Sequence, residues 1–306
     1  MQTTLATNVA VAGLGLHSGA PARATLRPAP AGHGLAFRRM DLRGGDAVIP
    51  ALWDRVSDTR LSTQVSNDAG ASVGTVEHLL AALAGTGVHN ALVEVDGLEV
   101  PIMDGSAAPW ARAILKAGLR TLDAPLRALR ILRPVEVALG DATARLDPAP
   151  GLRIDFAIDF PAAAIGRQAL ALDLANGAFL RELSDARTFC LLQDVEAMRG
   201  TGRALGGSVA NAVVVDGARV LNPGGLRRPD EFVRHKMLDA LGDLGLAGAP
   251  LLGRYTGRRA GHRLTNLLLR ELFARPEAWD TVACDADLLR RLPGAGLAPA
   301  DLAAVA

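Results

Sequence analysis

Residues 231–244 carry the clearest helical pattern in the chain. Val233, Met237, Leu241 and Leu244 recur every three to four positions, and Phe232 and Leu238 widen that apolar face. The spacing predicts a helix over 230–244, with Asp230 as its N-cap and Gly245 or Gly248 as its stop. Within it His235, Asp239 and Asp243 fall at i, i+4 and i+8, one above another on a single face. Shorter helical patterns cover 75–84, 108–117, 176–183 and 263–274, the second preceded by the turn Asp104-Gly105-Ser106. Strand-like runs cover 4–11, 22–26, 34–38 and 91–95, and later 131–137, 144–146, 152–160 and 212–216. Strands precede helices twice over, an α+β order rather than a regular βαβ repeat. We divide the chain into units 1–125 and 126–306, with similar coarse order and no residue-level repeat. The Ala/Gly/Pro-rich end from Pro293 reads as a loosely ordered tail.

Composition narrows the function classes. With 49% hydrophobic and 21% charged residues over 306 positions, the chain is globular and can bury a large core. A formal net charge of +1 provides no global field for nucleic acid or an anionic membrane, so an anionic ligand needs local groups. Cys190 and Cys284, far apart and in no CxxC arrangement, exclude a zinc finger and a disulfide scaffold and suit a reducing cytoplasm. The first charged residue is Arg23, but polar and glycine residues break the apolar start, which reads as a strand and turn rather than an anchor. The expectation is a soluble, cytoplasmic protein.

An apolar helix carrying a stripe of ionisable groups needs compensation. A cation held by neutral imidazole and carboxylate is one reading, and bridges to basic neighbours at a domain seam are the other. Glu77 and His78 sit side by side in Thr75-Val76-Glu77-His78-Leu79-Leu80. Neighbours on a helix point about 100° apart, so they divide work better than they share an ion: His78 as ligand, Glu77 as the group that handles a proton. Gly261-His262 lies just before a helix, where an imidazole can enter a cleft as general acid. Thr188 offers a hydroxyl to an oxyanion, although a loop threonine ordinarily bonds backbone. His17 lies in a glycine turn without a phosphate fingerprint, and His33 and His89 read as surface or packing residues.

Several motifs occur in one order: Gly13-Leu14-Gly15-Leu16-His17-Ser18-Gly19, Leu26-Arg27-Pro28-Ala29-Pro30, Thr75-Val76-Glu77-His78-Leu79, and residues 101–109. Ala186-Arg187-Thr188-Phe189, Gly206-Gly207-Ser208, residues 230–243 and Gly261-His262 follow. From about residue 5 to about residue 280 this order closely resembles the UDP-3-O-acyl-N-acetylglucosamine deacetylase family, zinc enzymes of lipid A biosynthesis. The resemblance implies two similar α+β domains, each a small, mainly antiparallel sheet layered with helices, with the active site at their interface. It implies one Zn2+ per chain on His78, His235 and Asp239, with Fe2+ also suited to that donor set. Glu77 would be general base, His262 the acid oriented by Asp243, Thr188 an oxyanion donor, and Lys236 a substrate contact. An insert near 190–211, with Phe189, Leu192 and Val195, would line an acyl passage, for which ordinary core is the bland alternative. Asp159 and Phe160 match uracil contacts, and Arg259 a basic residue near the diphosphate. Relatives carry lysines where this chain has Ala142 and Asp147, which leaves Arg145 or Arg153 as substitutes. The implied partner is a UDP-linked acylated amino sugar, without nucleic acid or stable membrane insertion, and the implied state is monomeric. One rival is another metal-dependent hydrolase or dehydratase on this fold. The other is a catalytically dead binding protein, against which the retention of Glu77, His262 and all three ligands argues.

Overall fold

The structure, a computed structural model, describes residues 1–42, 47–297 and 301. Its first half runs β1 (Thr3–Leu5), β2 (Val9–Leu14), β3 (Pro21–Pro28), β4 (Leu35–Arg39), β5 (Val48–Pro50), β6 (Val56–Asp58), β7 (Gln64–Ser66) and β8 (Ser72–Val73). Helix α1 (Glu77–Thr86), β9 (Ala91–Asp96), α2 (Ala108–Ala117) and β10 (Leu119–Thr121) complete it. The second half runs β11 (Arg127–Ile131), β12 (Val135–Leu139), β13 (Ala142–Asp147), β14 (Leu152–Asp159), β15 (Arg167–Asp173) and β16 (Phe189–Leu191). After these come α3 (Leu192–Gly200), β17 (Val213–Asp216), β18 (Arg219–Val220), α4 (Glu231–Gly245), β19 (Leu251–Arg258), α5 (His262–Phe273), β20 (Trp279–Ala283) and α6 (Ala286–Leu289).

The halves repeat one topology. Strands β2, β3, β9, β4 and β5 lie side by side in antiparallel, antiparallel, parallel and antiparallel pairings. Strands β12, β13, β19, β14 and β15 follow the same succession. Strand β11 runs parallel to the start of β19 and antiparallel to β20. In the first half β1 pairs with β10 and bridges Asn90, just before β9. Thus α1 corresponds to α4 and α2 to α5. Each half carries its own insert just before its first long helix: β6–β8 in one, β16–β18 with α3 in the other. The fold is α+β, with two similar sheet-and-helix units.

Local chemistry accounts for these layers. In β14 every second residue is buried, the alternation of a strand with one face on a core. Helices α2 and α5 each bury one stripe, Trp110, Ala111 and Ile114 in one and Leu264, Leu268, Leu269 and Leu272 in the other. By contrast α1 and α4 are buried nearly all round, because they pack on each other where the halves meet. One apolar cluster runs from Leu5 to Ala278 through both halves.

Three expectations need correction. The run 4–11 is two strands, because residues 3–5 pair with β10 and residues 9–14 with β3. The run 131–137 breaks at Pro134, which has no N–H to continue a ladder. In the end segment, Leu292 is buried in a small cluster with Leu126, Ala128 and Leu252, Gly294 lies against Gly87, and Asp301 pairs with Arg181 at 2.8 Å. These parts pack on the body; residues 298–300 and 302–306 of the expected tail lie outside the described residues.

Candidate metal centre and active site

The α4 stripe falls where the spacing places it, with His235, Asp239 and Asp243 all buried. Asp230 does not cap the helix; its carboxylate pairs with Arg234, one turn on, at 2.7 Å. Packing of α1 on α4 brings in His78, the second residue of α1, which no local pattern relates to α4. Nε2 of His235 lies 3.3 Å, and Nε2 of His78 3.5 Å, from Oδ1 of Asp239. That oxygen is buried and makes no hydrogen bond. One donor atom from each of the three residues lies within 4.8 Å of the others. The Nδ1–H of His235 donates to the Ala186 carbonyl at 3.1 Å, which leaves Nε2 as a lone-pair donor. Burial pushes His235 down to about 4, so it is neutral at physiological pH. Burial works against the charge on Asp239, yet His235 and Lys236 hold its carboxyl well below the usual range. Two imidazole nitrogens aimed at one unbonded carboxylate oxygen form a set that a divalent cation completes. The residues fit a metal ion.

Next to this cluster lies a carboxyl–imidazole pair. Nδ1 of His262 is 2.8 Å from Asp243 Oδ2, and its Nε2 faces Glu77 Oε1 at 3.9 Å. Burial disfavours a charge on His262, but the Asp243 carboxylate, with Asp239 and Glu77 behind it, pushes its pKa up to about 9. Burial raises the Glu77 carboxyl, against the pull of His262 and His78. The arrangement sets a carboxyl group and an imidazolium held charged by Asp243 within reach of one bound molecule, the two partners that acid–base chemistry needs.

A cavity of about 680 Å³ opens from these groups. Thr188, Phe189, Leu192, Val195, Phe160 and Lys236 line it. No residue of α3 is buried, and Leu192 remains 43% exposed, so its apolar side chains face the cavity instead of a core. Phe189 meets Phe160, Phe232 and the His235 ring edge-on, at centroid distances of 5.4, 5.0 and 6.1 Å. Lys236 donates to Asp239 Oδ2 at 2.7 Å. Asp159 and Arg259 are not in the lining and pair with each other at 2.5 Å. Arg145 and Arg153 are engaged by Asp147, Glu136, Asp155 and Asp173 on the sheet surface.

Comparison with known proteins gives the family. Residues 2–274 match the LpxC family, described as UDP-3-O-acyl N-acetylglycosamine deacetylase. The chain is 53% identical over 278 residues to the UDP-3-O-acyl-N-acetylglucosamine deacetylase of Phenylobacterium zucineum, covering 91% of this chain and 95% of that one. It is 49% identical over 302 residues to the enzyme of that name in Myxococcus xanthus, covering 99% and 95%. The chain belongs to the UDP-3-O-acyl-N-acetylglucosamine deacetylase family. Its members are metal-dependent hydrolases of lipid A biosynthesis, and the α+β fold with two similar units is theirs. Among the described residues no helix is long and apolar enough to cross a membrane.

Within the deacetylase framework the structure adds groups that sequence reasoning missed. Thr63, before β7, donates its N–H to Glu77 Oε2 at 3.0 Å and its hydroxyl to Asp243 Oδ1 at 2.6 Å, tying the two carboxylates together. Glu99 accepts from the backbone of His17 and Ser18 and from Thr75 Oγ1, at 3.0, 2.8 and 3.2 Å. It thereby anchors the glycine turn beside the backbone that enters α1. His17 lines the cavity, accepts from the Ala204 N–H on Nδ1 at 3.3 Å and has a buried Nε2 without a partner. The glycine turn was a signal for His17. For Thr63, a lone threonine in a loop, the sequence holds none.

Proposed function

We propose that this chain holds one zinc ion on His78, His235 and Asp239 and hydrolyses the N-acetyl group of UDP-3-O-acyl-N-acetylglucosamine to the free amine and acetate. The observation that carries the reading is the meeting of His78 with His235 and Asp239 beside the Glu77–His262 pair, on the wall of an apolar cavity. Bound there, a zinc ion supplies Lewis acidity to the amide carbonyl and to the attacking water. Glu77, fixed by the Thr63 N–H, takes the proton from that water as it adds to the acetyl carbon. Thr188, on the cavity wall, donates its hydroxyl to the developing oxyanion. His262, held protonated by Asp243, then delivers its Nε2 proton to the amine nitrogen as the C–N bond breaks. Lys236 neutralises the outer oxygen of Asp239 and has two further N–H groups for substrate oxygens.

Leu192, Val195 and Phe189 form the acyl passage in this reading, Phe160 stacks on uracil, and Asp159 and Arg259 meet the nucleotide outside the cavity. We propose further that the domains are 1–125 and 126–306, with the acyl insert near 190–211, and that the protein is a cytoplasmic monomer. The repeat of topology supports the division.

Acetate release from UDP-3-O-acyl-N-acetylglucosamine by metal-analysed protein, with and without a chelator, tests the reading. Chelator-sensitive release with about one ion per chain is expected, and elemental analysis separates zinc from iron(II). Release that survives complete metal removal would end the metal assignment. Bound metal without release would end the substrate assignment.

A further inference from the structure

Glycine in the interior of a buried helix weakens it relative to alanine, so its presence in α4 calls for a packing reason. At Gly242 the reason is visible. A Cβ there would stand 2.0 Å from the carbonyl oxygen of Glu77, 2.8 Å from its carbonyl carbon and 3.1 Å from its Cα. Contacts under 3.0 Å do not occur for real Cβ atoms, and the obstacle is backbone, which cannot swing aside as a side chain can. One turn on, Gly245 has room: a Cβ there would meet Leu80 at 3.9 Å, an ordinary contact. The two helices therefore approach each other more closely at Gly242, where α1 begins, than at Gly245.

We propose that Gly242 is a positioning residue that sets the α1–α4 distance at which His78 reaches His235 and Asp239; this rests on the metal reading above. His78 is bonded directly to Glu77, and its Nε2 lies 3.5 Å from Asp239 Oδ1. A methyl group at position 242 must push the first turn of α1 away by about 1.5 Å to reach normal contact. That displacement carries off one of three ligands and the proton-handling carboxylate together, whereas the two ligands on α4 keep their own spacing.

The test uses the full-length chain with Gly242→Ala and Gly245→Ala. Zn2+ affinity is measured by competition with a chromophoric chelator, the site by visible absorption of the Co2+-loaded protein, and folding by circular dichroism. Gly242→Ala is expected to stay folded, bind Zn2+ about 10- to 100-fold more weakly, in the range seen when the support of a ligand is removed, and change the cobalt bands. Gly245→Ala is expected to keep both. Adding His78→Ala to Gly242→Ala should cost far less affinity than His78→Ala alone, because the same ligand is already displaced. Wild-type affinity and spectrum in Gly242→Ala, additive losses with His78→Ala, or loss of folding in place of loss of metal would overturn the proposal. Wild-type protein that binds no metal would instead overturn the reading on which it rests.

Discussion

Glu77 and Glu231 occupy the same place in the two halves, each the first residue of the long helix that precedes the central strand β9 or β19. Both are buried, and both sit at a helix N-terminus, where the backbone dipole favours a negative charge. Their surroundings differ. Glu231, 0% exposed, accepts from the Arg187 guanidinium at 2.8 and 3.1 Å and from the N–H groups of Arg187 and Arg227 at 3.0 and 2.7 Å. Burial opposes its charge, but these donors keep its carboxyl below the usual range. Glu77 accepts from the Thr63 N–H, and His262 faces it at 3.9 Å; burial raises its carboxyl. Position in the repeat confers burial on both. The partners decide which carboxylate is held as an ion and which has its proton affinity raised, so the same place in the fold gives one glutamate to a structural ion pair and leaves the other for the proton-transfer role proposed above.

The sharpest way to break this contrast is Glu77→Gln. Turnover should fall by about 10²- to 10⁴-fold, the share of a general base, while metal content and thermal midpoint stay near wild type. A rate close to wild type would leave Glu77 no part in proton transfer. Glu231→Gln should show the reverse signature. With the Arg187 charge stranded, urea denaturation should report a loss of about 3–5 kcal/mol. Unchanged stability would mean that the two glutamates are not the contrast described. Asp243→Asn gives a smaller effect. Losing its carboxylate partner, His262 should titrate below its value of about 9, so the alkaline limb of kcat/KM should move down by about 1–2 pH units. The sign for stability is the same: the raised pKa of His262 stabilises the wild-type fold fully below about pH 6.5, and that contribution fades as pH rises through about 9. An alkaline limb that stays in place in Asp243→Asn would assign it to another group.

The contrast between the helix starts was only half legible in the sequence. The register of α4 was plain, because Val233, Met237 and Leu241 and the stripe from His235 to Asp243 all lie on one segment, and the observed helix begins one residue from the expected start. Helix α2 matches its expected span of residues 108–117. Boundaries failed where the chain changes pairing partner without changing polarity, as between β1 and β2. The cap assigned to Asp230 failed because Arg234 competes for the same carboxylate. The repeat of the halves showed in the sequence only as a similar coarse order of elements. It resides in backbone pairings, which different side chains satisfy equally well on the two sides.

By itself, the sequence determined what depends on near neighbours along the chain: the α+β order, the buried character of α4, and three ionisable groups on one helical face. Its motifs, taken in order, also carried the family and the expected roles of Glu77, His78 and His262. What only the tertiary structure decided is the meeting of groups remote in sequence: His78 with Asp239, Thr63 with both Glu77 and Asp243, and Arg187 with Glu231. It also decided that the apolar side chains of α3 face a cavity. The physical reason is that periodicity records which face of an element is buried, but not which element buries it. Proton affinities follow the second, because they depend on burial and on charges a few ångströms away in space.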